Sequence, residues 1–208
     1  AMTIKTISPF ALPNNVECYT DGSCQGSPLA SAIASGAAVY LLHGTHECGV
    51  YRAIVCTVPK HLPQSSFTGE YIGLHIVRLS IAVSPDMPTI DIVTDSAAML
   101  NGWARAMSLG PSFNRRWDGL YKQAFTAGKA LTEVSDIRLH KVKAHRTIEQ
   151  AVSPQDAQWI HGNRVADAAA NRCIDNHMAS DAFDGELKAL KAHRAYIRNV
   201  VNNLAECR

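Results

Sequence analysis

Residues 67–95, FTGEYIGLHIVRLSIAVSPDMPTIDIVTD, decide how this chain folds. Over Phe67 to Val83 the apolar residues recur at helical spacing. Ile72, Ile76, Leu79 and Val83 make one stripe, and Leu74, Val77 and Ile81 make a second. A helix apolar on most sides is expected to lie buried against a sheet. Pro85 and Pro88 end it. Thr89 to Asp95 then changes period and reads as a strand rich in β-branched residues. A helix that hands the chain back to a strand predicts a crossover and a parallel neighbour.

Upstream, three strand-like runs follow one another with short turns, the pattern of an antiparallel meander. They are Glu17 to Asp21, stopping at Gly22-Ser23; Ser35 to Leu42; and Cys48 to Val58. Downstream, helices are predicted over 96–109 and 116–127, a strand over Asp136 to Val142, and a helix over Asn163 to Met178. A last, basic amphipathic helix is predicted over 186–206, with Leu190, Ile197, Val201 and Leu204 on one face. The expected fold is therefore α/β: a mixed sheet with helices on both faces, plus an extra C-terminal helix. Residues 1–15 read as a leader, 16–180 as the main domain and 181–208 as a helical extension.

The 208 residues suit one domain with an appendage. Apolar residues at 47% and charged residues at 18% exclude a disordered chain. No apolar run approaches the roughly 20 residues of a membrane span. No basic stretch followed by an apolar one opens the chain, so an intracellular location, in nucleus or cytoplasm, is expected, with no membrane partner. The six cysteines form no Cys-x-x-Cys pair and are expected to be free thiols, with Cys18 and Cys56 in the core. The net charge of +2 singles out no partner, but its distribution alternates. Residues 1–100 and 151–185 are net acidic, while 101–150 and 186–208 are net basic. A protein holding a phosphate backbone beside a group of carboxylates has such a pattern, and so does ordinary solvated surface.

Four acids stand out by position. Asp21 closes the first strand, Glu70 opens the buried helix, Asp95 ends the fourth strand, and Asp167 lies in the first turns of the late helix. Singly, each has a structural explanation: a turn residue before Gly22, a charge at a helix N-terminus, an N-cap at Asp95, a solvated helix position. Together they fall where strand ends and helix starts meet at one rim of an α/β sheet. Carboxylates converging there repel one another, and a hard divalent cation with oxygen ligands resolves that conflict.

The contexts of these acids resemble the ribonuclease H type 1 family. The matching motifs are Tyr19-Thr20-Asp21-Gly22-Ser23, Glu70 after a Ser/Thr-rich lead-in, Thr94-Asp95-Ser96, Val142-Lys143-Ala144-His145, and Gly162 through Ala170. They run in the family's order over residues 16–178. The resemblance implies an RNase H-like five-stranded mixed sheet of order 3-2-1-4-5 with strand 2 antiparallel. It implies Asp21, Glu70, Asp95 and Asp167 as ligands of two Mg²⁺ ions, with Mn²⁺ a possible substitute. Such ions, about 4 Å apart, clamp an in-line displacement at phosphorus. The implied reaction is endonucleolytic hydrolysis of the RNA strand of an RNA–DNA hybrid, leaving 5′-phosphate and 3′-hydroxyl ends. His145, on a loop after a strand, is implied to assist proton transfer or product release.

By the same resemblance, Ser23 and Cys24 beside the first acid, and Ser65 and Ser66 before the helix, face the substrate. There they read the 2′-hydroxyl that separates RNA from DNA. Asn114 and Asn163 are further substrate contacts. The family often has Thr-Asn where Ser65-Ser66 stand, a departure that touches hybrid binding rather than chemistry. The Ala144-His145-Arg146 loop and the long segment to Asn163 look like RNase H domains of non-LTR retrotransposon polyproteins, which implies an associated reverse transcriptase. Two other functions stay open at this point: a catalytically impaired module that only binds nucleic acid, and a DNA nuclease on the same fold.

Overall fold

In the computed structural model the described residues are 11–26, 32–84, 88–102, 137–177 and Lys188. The strands are β1 (Val16–Gln25), β2 (Ile33–His43), β3 (Val50–Thr57), β4 (Ile90–Thr94) and β5 (Ile137–Lys141). The long helices are α1 (Ser66–Ala82) and α2 (Pro154–Asp175), and a short 3-10 turn spans Ile148–Gln150. The strands form one sheet of order β3-β2-β1-β4-β5. β2 runs antiparallel to both β1 and β3, while β4 is parallel to β1 and to β5. This is the expected mixed sheet. Asn114, the helix 116–127 and the C-terminal helix 186–206 with its extension lie outside the described residues, apart from Lys188.

Alternation along the strands sends successive side chains to opposite faces. Cys18, Ala38 and Tyr40 meet Leu74, Ile76, Val77 and Ile81 of α1 in one core. Tyr19, Ala37 and Val39 meet Ile160, Ala166, Ala169, Ala170 and Cys173 of α2 in the other. Helices thus cover both faces. On α1 only the second stripe is fully inside: Leu74, Val77 and Ile81 are buried, whereas Ile72 and Leu79 are half-buried and Val83 is 52% exposed. The helix has one sheet-facing side rather than apolar contacts all round.

Three local expectations change. β1 does not stop at Gly22-Ser23 but continues to Gln25, paired with Ile33 through Gly36 of β2. Gly22 is there for close approach: a Cβ on it would come within 2.3 Å of the Ser66 carbonyl oxygen and the Glu70 nitrogen. The late helix begins nine residues earlier than its apolar pattern indicates. Ser153 caps it, accepting from Asp156 N at 3.1 Å, and Pro154 takes its first position. Asn163 and Asp167 therefore sit in the middle of α2, not in its first turns. Cys56 is exposed on the outer strand β3, while Cys18 is buried as expected. The five cysteines Cys18, Cys24, Cys48, Cys56 and Cys173 are free.

Within residues 11–15, Leu12 alone is buried. Leu12 is buried with the α1-side core, and its N–H donates to Ser84 Oγ at 2.8 Å. No helix among the described residues is long and apolar enough to cross a membrane.

Candidate metal centre

β1 and β4 are paired only from Val16 and Ile90 to Tyr19 and Val93. Beyond that register β1 follows β2 alone, and β4 stays with β5 to Thr94 and Lys141. The two parallel strands thus fork. The fork is the switch point where α/β sheets open a crevice beyond their strand ends. Asp21 stands on one prong, Asp95 just past the other, and Glu70 reaches in from α1.

One oxygen from each of these three carboxylates can be chosen so that all lie within 4.8 Å of one another. Asp21 is 7% and Glu70 6% exposed. Burial first, and then the Asp95 and Asp167 charges, push the Asp21 carboxyl up to about 7, against a bond from Gly22 that lowers it. Glu70 is raised well above the usual carboxylate range, again by burial and then by the Asp21 and Asp95 charges. Asp21 Oδ1 accepts from Gly22 N at 2.7 Å, and Thr94 Oγ1 donates to Glu70 Oε2 at 3.5 Å. The ion pairs seen among the described residues, Asp91 with Arg138 and His140 and Asp156 with Arg146, all lie elsewhere.

The acids open into a cleft of about 280 Å³. Ser66, Ala144, His145, Asn163, Arg164 and Asp167 complete its lining. Asn163 is 6% exposed and donates from Nδ2 to Asp95 Oδ2 at 3.2 Å. Its Oδ1 is buried without a hydrogen-bond partner. Asp167 lies in the same cleft but outside the close trio; its Oδ1 accepts from Asn171 Nδ2 at 2.8 Å. His145 takes a left-handed backbone, φ 56°. A larger cavity, about 410 Å³, opens where β1 begins. Two glutamates, Glu17 and Glu47, line it, and Glu17 is bonded to Tyr19 at 2.5 Å and to Gln155 at 2.7 Å.

Other candidates stand outside the cleft lining. Ser65 caps α1, accepting from Thr68 N at 3.1 Å. Ser23 Oγ donates to Asn171 Oδ1 at 2.5 Å, and Cys24 Sγ points to the Gln64 carbonyl at 3.4 Å. Asp95 is not the N-cap of the helix that follows it; Ser96 Oγ accepts from Met99 N at 3.2 Å instead. That releases the Asp95 carboxylate to face the cleft. Sequence reasoning gave no role to Arg164 or Asn171. Asn171 follows Asp167 by four residues on a helix, a spacing that places the two side by side.

The donor set fits hard divalent cations. It is all oxygen, converging, and costly to leave ionised together without a positive charge. Asn163, in the lining of the same cleft, has a buried side-chain oxygen without a hydrogen-bond partner.

The RNase H family model matches residues 13–175, most of the chain. This chain belongs to the RNase H family. Its fold is similar to that of prototype foamy virus protease-reverse transcriptase, at 18% identity and TM-score 0.57. That match covers 76% of this chain but 20% of the viral one, so this chain corresponds to about a fifth of it. It is also similar to LC9-RNase H1, described as a type 1 RNase H with the type 2 active-site motif. There the identity is 12% and the TM-score 0.54, over 84% of this chain and 86% of that one. RNase H1 of the halophilic archaeon Halobacterium salinarum aligns at 17% identity and TM-score 0.51, over 78% of this chain and 99% of that one. No curated protein sequence matches. At these identities the structural likenesses speak to the RNase H fold, whose 3-2-1-4-5 sheet is the one seen here.

Proposed function

We propose that this RNase H domain hydrolyses the RNA strand of RNA–DNA hybrids, leaving 5′-phosphate and 3′-hydroxyl ends. The observation that carries the reading is the convergence of Asp21, Glu70 and Asp95 at the fork between β1 and β4. In this reading these three acids and Asp167 hold two divalent cations, Mg²⁺ with Mn²⁺ as a substitute. When bound, the ions supply positive charge against the attacking and leaving oxygens of an in-line displacement at phosphorus.

The chain's own residues do the rest. Asp21 and Glu70, buried and mutually repelling, are released from that repulsion on binding cations. Asn163 holds the Asp95 carboxylate in place through Nδ2. His145, on the cleft's rim, accepts or returns a proton at an imidazole nitrogen. Ser66 lies in the cleft lining and is placed to meet the substrate; Arg164, exposed beside it, offers charge to a phosphate. Ser23, Cys24 and Ser65 act by shaping the cleft's border rather than by lining it. The domain works beside a reverse transcriptase, as the foamy virus neighbour's name describes for that protein, and within a retrotransposon-type polyprotein.

The test is cleavage of end-labelled RNA annealed to DNA, with Mg²⁺, with Mn²⁺ and with EDTA, beside RNA and DNA duplex controls. The expected result is metal-dependent cleavage confined to the RNA of the hybrid. Absence of cleavage with either ion, or equal cutting of duplex DNA, overturns the reading.

A further inference from the structure

The loop that carries His145 is tied down by the residue next to it. Arg146 Nη1 donates to Asp156 Oδ1 at 2.8 Å, and Nη2 donates to Asp156 Oδ2 at 2.7 Å, a bidentate pair. Nη2 also donates to the carbonyl of Gln150. Asp156 Oδ2 accepts from Val152 N as well, at 2.9 Å, and Asp156 N donates to the cap Ser153 Oγ. The two side chains are only 20% and 15% exposed. This one pair therefore joins the loop after β5, the 3-10 turn and the first turn of α2.

The same loop stores strain next to the pair. His145 holds φ 56°, a region that a residue with a Cβ avoids unless its surroundings impose it. One residue later the Arg146 guanidinium is held through both of its Nη atoms. The His145 side chain lines the carboxylate cleft, on a loop whose residues Lys143, Ala144, His145 and Thr147 are exposed.

Resting on the reading of the cleft as the nuclease site, we propose that Arg146 and Asp156 form a positioning latch that holds His145 over the acids. Their contribution is to reaction rate through His145, not to substrate binding. Lysine in place of Arg146 keeps the charge but cannot make the fork, so it does not replace the latch.

The experiment is a mutant cycle in the full chain under metal-dependent hybrid cleavage. Arg146→Lys, Arg146→Ala and Asp156→Asn are each expected to lower kcat by about tenfold or more, with KM within about twofold. In a His145→Ala background, Arg146→Ala is expected to lower kcat by less than about twofold further, because the group it positions is gone. Amide hydrogen exchange over 143–147 is expected to speed up in Arg146→Ala and Arg146→Lys but not in His145→Ala. Additive losses in the two backgrounds, or faster exchange with unchanged kcat, overturn the latch. A wild-type chain that cleaves no hybrid with either ion overturns the reading of the cleft, while the exchange measurement still decides whether the pair pins the loop.

Discussion

A β-carbon on Gly22 would stand 2.3 Å from the backbone nitrogen of Glu70, closer than real side-chain contacts allow. β1 and α1 touch backbone to backbone at this point, and the contact brings the Asp21 and Glu70 carboxylates together. Gly22→Ala is therefore expected to push α1 away from β1 and widen the acid trio. The cost is about 2–3 kcal/mol of stability by overpacking. Cleavage is expected to fall by roughly 100-fold, since a displacement of an ångström in such a site costs about that much. Urea unfolding and the hybrid assay read the two effects separately.

The acids are not expected to contribute equally. Asp21 and Asp95 belong to the close trio, and Asp21 is buried. Asp167 is exposed and is drawn toward Asn171. Asp21→Asn and Asp95→Asn are expected to abolish detectable cleavage while leaving the circular dichroism spectrum unchanged. Asp167→Asn is expected to leave residual activity that rises with Mg²⁺ concentration, because the missing ligand is the peripheral one. Full activity in either of the first two variants would sink the assignment of these acids as ligands.

The sheet was readable because Glu17 to Asp21 has strand character, because β2 is a short apolar run, buried from Ala34 to Tyr40, and because α1 and β4 are separated by Pro85 and Pro88. Asp21, Glu70 and Asp95 were readable from their places near strand ends and a helix start, whereas Asp167, which lies in the middle of α2, was readable through the motif Gly162 to Ala170. What escaped notice has physical reasons. Gly22 looks like a turn residue, yet its job is close packing inside a strand, and one sequence does not tell the two apart. The first half of α2, Pro154 to His161, has no regular apolar stripe; Ala157, Gln158 and Ile160 are buried there, and Gln158 bonds Tyr19 and Tyr51 at 3.2 Å each. Its start was nonetheless encoded by Ser153-Pro154-Gln155-Asp156, a cap followed by proline and an acid in the first turn. The capping of the helix after β4 by Ser96 rather than Asp95 depends on side-chain direction, which periodicity does not carry.

Stability should depend on pH in the sense opposite to a salt-bridged protein. Asp21 has a folded-state pKa near 7 against an ordinary value of 3.8. Between those values the folded chain holds a proton that the unfolded chain has lost. Without metal, stability contributed by this group is full below about pH 4 and falls as pH rises toward 7. At about 1.4 kcal/mol per unit the loss is on the order of 2–4 kcal/mol. Asp21→Asn is expected to raise metal-free stability at pH 7.5 and flatten this slope. Divalent cation has the same effect on the wild type only, visible as a rise in Tm with Mg²⁺ that the variant lacks. A wild-type Tm in EDTA that rises from pH 5 to pH 7.5 contradicts the account.

Asn163 tests whether the support of Asp95 matters. Its Nδ2 donates to Asp95 while its Oδ1 is buried without a hydrogen-bond partner, so only one end of the amide is used. Asn163→Ala removes both ends and frees the Asp95 carboxylate to turn. Loss of such an outer support typically lowers metal affinity by about 10–100-fold, and Mn²⁺ titration calorimetry is expected to find a change of that order. Asn163→Asp keeps the shape but replaces the donor with another negative charge. In EDTA it is expected to be less stable than Asn163→Ala, because it adds to the repulsion among Asp21, Glu70 and Asp95; adding Mn²⁺ should narrow that gap. Equal Mn²⁺ affinity in wild type and Asn163→Ala would show that Asp95 keeps its orientation without this amide.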